Sequence, residues 1–233
     1  MENLYIKTDS SVRKIISGGY EYMGARFHMM IIPEKISFIT KHRLKKQLRR
    51  FRGAYVYAVG CDMSNYGLCE TDGSLSISEN IEILCRRLCK NKGIPIPPRV
   101  GISDRIFCEN TVNILHCLGR FCSEIYIFTD NAAAHSYADY MLAEYGCTVC
   151  VRCDILPTDI LITADGVDCF DAAVIDLHGV NAHISQRVAD INIVFNGVTD
   201  EHIAPSGIIS GRLYDFLRLS GMKKPKKINI VKM

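Results

Sequence analysis

A chain of 233 residues is long enough for one large domain or two small ones, with roughly 70–75% of its unfolded surface buried on folding. Apolar residues at 48% and charged residues at 23% are ordinary for a globular protein, and a net charge of +3 is too small to imply a polyanionic partner by itself. No apolar run approaches the ~20 residues that cross a bilayer, and the N-terminus lacks the apolar core of a signal peptide, so the expected location is the cytoplasm.

In chain order, Leu4–Lys7 and Arg26–Ile32 read as strands, with Gly18-Gly19 as a turn between extended segments and Pro33 closing the second. A helix is expected from Ser37 to Arg52. Leu44, Leu48 and Phe51 form its apolar stripe, and Lys41, Arg43, Lys45, Lys46, Arg49, Arg50 and Arg52 cover much of the rest. Ala54–Val59 is a buried-strand pattern, and a second helix runs from Ser76 or Ser78 to Lys90, with Glu79 placed as in a capping box. Pro95, Pro97 and Pro98 form a stiff connection, suggesting a division into an N-terminal α/β region, 1–98, and a Rossmann-like domain, 99–233. The N-terminal region is equally compatible with extending the same sheet.

Strand and helix signals then alternate. Strands are expected at Arg99–Ser103, Glu124–Thr129, Thr148–Arg152, Asp159–Thr163, Ala172–Asp176 and Ile191–Phe195, and helices at 106–121, 132–145, 181–188 and from Ser206 to Leu219. The fold class that follows is α/β: a three-layer, Rossmann-like, mainly parallel sheet with an N-terminal α/β subdomain.

The eleven cysteines, an odd number without an export signal, read as reduced thiols filling apolar positions. Cys147, Cys150 and Cys153 have the spacing of an iron–sulfur motif, but a strand would send Cys150 to the opposite face from the other two. No zinc signature, phosphate loop or nucleophile elbow is present, and no metal is expected.

The informative feature is a set of strand ends: Gly60-Cys61-Asp62, Ser103-Asp104, Asp130-Asn131, Asp154, Asp165-Gly166, His178-Gly179 and Asn196-Gly197. In a parallel sheet these ends share one edge, where ligands bind. His178, after Asp176, is the candidate general acid or base, and Asp165 the candidate for positioning a substrate hydroxyl. Each is also a residue type that loops use for turns and backbone hydrogen bonds.

Residues 124–180 resemble the cofactor-binding half of two-domain dehydrogenases of the shikimate dehydrogenase and methylenetetrahydrofolate dehydrogenase types. Thr158–Gly166 stands where those families carry a segment like ADIVITATG, and Ala173–Gly179 where they carry one like VIDVG. The resemblance covers about a quarter of the chain. It implies a pocket for NAD(P) or another adenine nucleotide, with Asp130, Asn131, Asp154, Gly166, Gly179 and Asn196 lining it and Asp154 holding a ribose. The glycine fingerprint is missing: Thr129–Ala138 reads Thr-Asp-Asn-Ala-Ala-Ala-His-Ser-Tyr-Ala, without glycine, and Asp130 would repel phosphates.

The reading that follows is a diverged nucleotide-binding protein acting on a small polar substrate by hydride transfer, with the cofactor itself undetermined. Its competitor is a non-enzymatic binding or regulatory module of degenerate Rossmann fold that takes no dinucleotide. A third reading uses the basic helix 41–52 for the phosphates of nucleic acid or for an anionic membrane surface, although no interleaved aromatics supply a stacking platform and a solvated helix face is the commoner use of such charges. The expected partner is a small molecule; a nucleic acid is not expected, and a homodimer is allowed.

Overall fold

The computed structural model describes residues 2–61, 63, 66, 68–122, 124–167, 171–177, 191–195, 198–226 and 228–232. In chain order the elements are β1 (Leu4–Asp9), β2 (Ile16–Tyr22), β3 (Ala25–Pro33), α1 (Phe38–Leu48), β4 (Tyr55–Val59), β5 (Cys69–Glu70), α2 (Ser74–Glu79), α3 (Ile81–Lys92), β6 (Val100–Ser103), α4 (Glu109–Leu118), β7 (Glu124–Phe128), α5 (Ala133–Tyr145), β8 (Thr148–Arg152), β9 (Ile160–Thr163), β10 (Ala173–Asp176), β11 (Asn192–Val194), β12 (Ile208–Ser210), α6 (Gly211–Leu219) and β13 (Asn229–Lys232). They form two compact units, residues 1–72 with 192–232, and residues 73–191. Among the described residues no helix is long and apolar enough to cross a membrane.

The first unit holds a sheet of order β2-β3-β1-β4-β5, parallel except for the β2–β3 hairpin, and a three-stranded antiparallel sheet of order β12-β11-β13. Alternation along β1 explains its two cores. Leu4 and Ile6 pack with Met30, Ile32, Val56 and the α1 residues Leu44 and Leu48. Tyr5 points the other way, into a cluster of rings with Phe27, Tyr57 and Phe216 of α6.

The second unit contains the parallel sheet. Its order is β10-β9-β6-β7-β8, with all four pairings parallel. Counting from β6, this is the 3-2-1-4-5 order of the Rossmann-like α/β fold, reversing direction between β6 and β9. Val100, Ile102, Ile125, Ile127, Ile160 and Ile162 share one face by register and are fully buried. α4 and α5 connect β6 to β7 and β7 to β8, successive parallel neighbours in one direction along the sheet, which puts both helices on one face when the two crossovers share the usual hand. Gly101, Tyr126, Phe128, Leu161 and Val174 lie on the opposite face from those isoleucines.

The chain returns from β8 to β9 through Cys153–Asp159 without a helix, passing two strands. Seven residues reach about 23–25 Å when extended, so the segment runs as a taut strap. Gly101 is a consequence. A Cβ there would lie 2.6 Å from the Phe128 ring and 3.0 Å from the Thr158 methyl group. Gly101→Ala should therefore lower the stability of this unit by about 2 kcal/mol through overpacking, read by chemical denaturation. A variant as stable as the wild type would show that the strap lifts freely.

Several expectations are corrected. Gly18 and Gly19 do not form the turn; they lie inside β2, an edge strand exposed from Ile16 to Gly19, where glycine displaces no packing. The hairpin turn is Met23-Gly24, both at positive φ. The single helix expected from Ser76 to Lys90 is broken at Asn80. The Asn80 amide donates to the Ser76 carbonyl at 2.7 Å, and the Ser76 hydroxyl donates to the Gly73 carbonyl at 2.6 Å instead of capping. α4 starts at Glu109 rather than near residue 106. The last helix is capped by Ser210, whose Oγ accepts from the Leu213 N–H at 3.2 Å, because β12 occupies the residues that follow Ser206. Finally, β11 is antiparallel and belongs to the small sheet of the first unit, not to the parallel sheet. The expected helix at 181–188 lies outside the described residues.

Candidate functional site

The carboxyl ends of β6, β7 and β8 surround two adjoining clefts. The larger, about 650 Å³, is lined by Thr129, Asp130, His135, Val151, Arg152, Cys153, Asp154 and Leu156. The smaller, about 320 Å³, is lined by residues including Ser103, Arg105, Phe128, Ile155 and Val167 and shares Thr129, Asp130 and Cys153 with the first. Both lie within the second unit. Asp130 and Asp154 are exposed at the ends of β7 and β8, and Ile155 and Leu156 of the strap bring apolar side chains to the same edge. The arrangement offers carboxylates for hydroxyl donors and hydrocarbon walls for a ring. Arg105 and Arg152 line these clefts, and among the described residues neither guanidinium has a carboxylate partner.

Strand order changes which loop stands where a dinucleotide-binding fold carries its glycine fingerprint. The first strand of the fold is β6, so the loop facing a dinucleotide's pyrophosphate would be Asp104–Cys108, not Thr129–Ala138. This loop also lacks glycine, and Phe107 sits at φ 58°, where glycine is the usual residue. It is organised around Asp104, which is only 2% exposed. The Asp104 carboxylate accepts from the Ile106 N–H at 3.0 Å, the Cys108 N–H at 2.7 Å and the Thr111 hydroxyl at 2.5 Å. Burial pushes its pKa up, but these hydrogen bonds prevail and hold it below the usual carboxylate range. The chain's own anion thus engages loop donors at the start of α4, where a bound phosphate would need them.

A second carboxylate bridges the point where strand order reverses. Asp165, after β9, accepts from the Ser103 hydroxyl at 3.1 Å and from the Arg105 N–H at 3.1 and 3.3 Å. This ties the end of β6 to the end of β9 and engages the side chain expected to position a substrate. Gly166 follows at φ 70°. Asn131 braces the start of α5: its Oδ1 accepts from the Ala133 N–H at 3.0 Å and its amide donates to the Ile106 carbonyl at 2.7 Å.

The geometry therefore brings Asp130 and Asp154 to one cleft and sets Asn131 and Asp165 in backbone-bracing roles beside it. His178, Gly179 and Asn196 lie outside the described residues. Sequence reasoning missed Arg105, Arg152 and His135 as lining residues. Their signal was position alone, each within a few residues of a strand end.

No protein-family model and no curated protein sequence matches this chain. Among solved structures, the crystal structure of L-tryptophan dehydrogenase from Nostoc punctiforme aligns with a TM-score of 0.35 and 10% identity, covering 76% of this chain. The aligned region spans 62% of that protein's length, a similarity too distant to carry a function across.

Proposed function

We propose that the second unit is a nucleotide-binding module that takes a nucleoside or mononucleotide, not a dinucleotide, in the crevice over β7 and β8. The supporting observation is the buried Asp104 carboxylate, which occupies loop donors that a pyrophosphate would require. In this reading Asp130 and Asp154 accept from ribose hydroxyls, Val151 and Leu156 flank the base, and Arg152 or Arg105 meets the phosphate. In the same reading, the bridge from Asp165 to Ser103 and Arg105 spans the strand-order reversal over which a nicotinamide half would lie.

Thermal melts with adenosine, AMP, ADP-ribose, NAD and NADP test this directly. At a hundredfold excess over Kd a single-site ligand adds about 2.7 kcal/mol, a shift of several degrees. AMP is expected to raise the melting temperature at least as much as NAD, Asp130→Ala and Asp154→Ala to remove the shift, and Arg152→Ala to reduce AMP toward adenosine. No shift with any of the five compounds would remove the reading. A larger shift with NAD or NADP than with AMP would replace it by the oxidoreductase reading.

A further inference from the structure

The first unit carries a strongly charged surface that the nucleotide reading does not use. Between Glu34 and Asp62 there is no acidic residue, and Lys41, Arg43, Lys45, Lys46, Arg49, Arg50 and Arg52 supply +7 to a chain whose net charge is only +3. All seven side chains are exposed, while Leu44 and Leu48 on the opposite side of α1 are buried in the core. The cations fall into two rows, 41-45-49-52 and 43-46-50, on the helix and its short continuation through Phe51. Among the described residues none of them is paired with a carboxylate.

At the head of these rows stand two large apolar side chains. Phe38 is 86% exposed and Ile39 66% exposed, adjacent in the first turn of α1. Their position is set by Ser37, whose Oγ accepts from the Thr40 N–H at 3.2 Å and starts the helix at Phe38. Neither side chain contributes to the buried cluster that anchors α1.

The geometry points to this face docking on an anionic lipid surface, with Phe38 and Ile39 entering the headgroup boundary and the two rows of cations lying over acidic headgroups. Nucleic acid answers the charge but not the wedge: Ile39 has no ring to stack on a base, and of the two phenylalanines among the seven cations Phe51 packs against the core, leaving Phe38 exposed. A bilayer answers both, because apolar burial and headgroup charge occur at the same boundary.

Co-sedimentation of the full chain with vesicles of phosphatidylcholine alone, and of phosphatidylcholine containing about 30% phosphatidylserine, tests the proposal. Binding is expected to the acidic vesicles only and to weaken with salt. Replacing Lys45 and Arg49 together by Gln should lower partitioning roughly twenty-five-fold, from about fivefold per charge. Phe38→Ser with Ile39→Ser should lower it about tenfold or more at unchanged charge. All four positions are exposed, so the fold is not at risk, and an unchanged thermal melt verifies this. The proposal is overturned by absence of binding to acidic vesicles. It is equally overturned if the Phe38/Ile39 variant binds them as well as the wild type does. Tight binding of a DNA or RNA duplex that is indifferent to Phe38 and Ile39, with no vesicle binding, would assign the surface to nucleic acid instead.

Discussion

Asp104→Ala should destabilise the second unit by about 3 kcal/mol, measured by chemical denaturation near neutral pH. The wild-type carboxylate is buried and accepts from two backbone N–H groups and one hydroxyl. Truncation leaves those donors in a site with little water, and the cost of unmet buried donors dominates over the loss of attraction itself. The effect carries a pH signature. The folded-state pKa of Asp104 is held below its unfolded value, so its stabilisation is complete above the ordinary carboxylate range, about 3.9. It is lost as acid carries the pH down through the lower folded value. The stability gap between wild type and Asp104→Asn should therefore close in acid; a gap of constant size from neutral pH into strong acid would show that the charge is not what organises the loop. The alanine variant also exposes the freed N–H groups to an outside anion. Inorganic phosphate should raise its melting temperature more than that of the wild type, and equal responses would mean that the loop is not an anion cradle.

Phe216→Ala should cost about 3–5 kcal/mol in the first unit, with the readout again a denaturation midpoint. Phe216 is fully buried on α6, its ring centroid 5.1 Å from that of Phe27 and 6.2 Å from those of Tyr5 and Tyr57. Removing it leaves a void bounded by aromatic rings that relax only partly into it. A neighbouring hydrogen bond gives a second readout. Tyr20 donates to Asp200 Oδ2 at 2.6 Å; that bond, with burial, raises the Tyr20 pKa to about 12. A raised tyrosine pKa gives stability that is complete below the unfolded value near 10 and fades as pH rises through the folded one. Tyr20→Phe should therefore flatten the alkaline limb of the stability curve. A loss below 1 kcal/mol for Phe216→Ala would mean that α6 is not needed to close the ring cluster.

Much of the parallel sheet was legible because its signals are local. Ile125 and Ile127, or Ile160 to Ile162, form short apolar runs bounded by polar residues, as strands buried on both faces do. The tips Asp130 and Asp154 follow from those strands by counting. Which loop follows the first strand of the parallel sheet could not be had by counting. Identifying β6 as the first strand requires knowing that β9 pairs beside it, a contact 60 residues away in the chain. Without that pairing, the loop after β7 looked equivalent to the loop after β6.

The amino-acid order alone determined α1 with its cationic exterior, the α/β class, and the acidic strand ends, since each rests on periodicity or on residue chemistry within a dozen positions. Pairing between distant segments determined the rest: the return of β11, α6 and β13 to the N-terminal unit, the strap that demands glycine at 101, and the burial of Asp104 against the N–H groups that precede α4. Those outcomes depend on which strands exchange backbone hydrogen bonds and which side chains are then shut away from water. No local propensity encodes either.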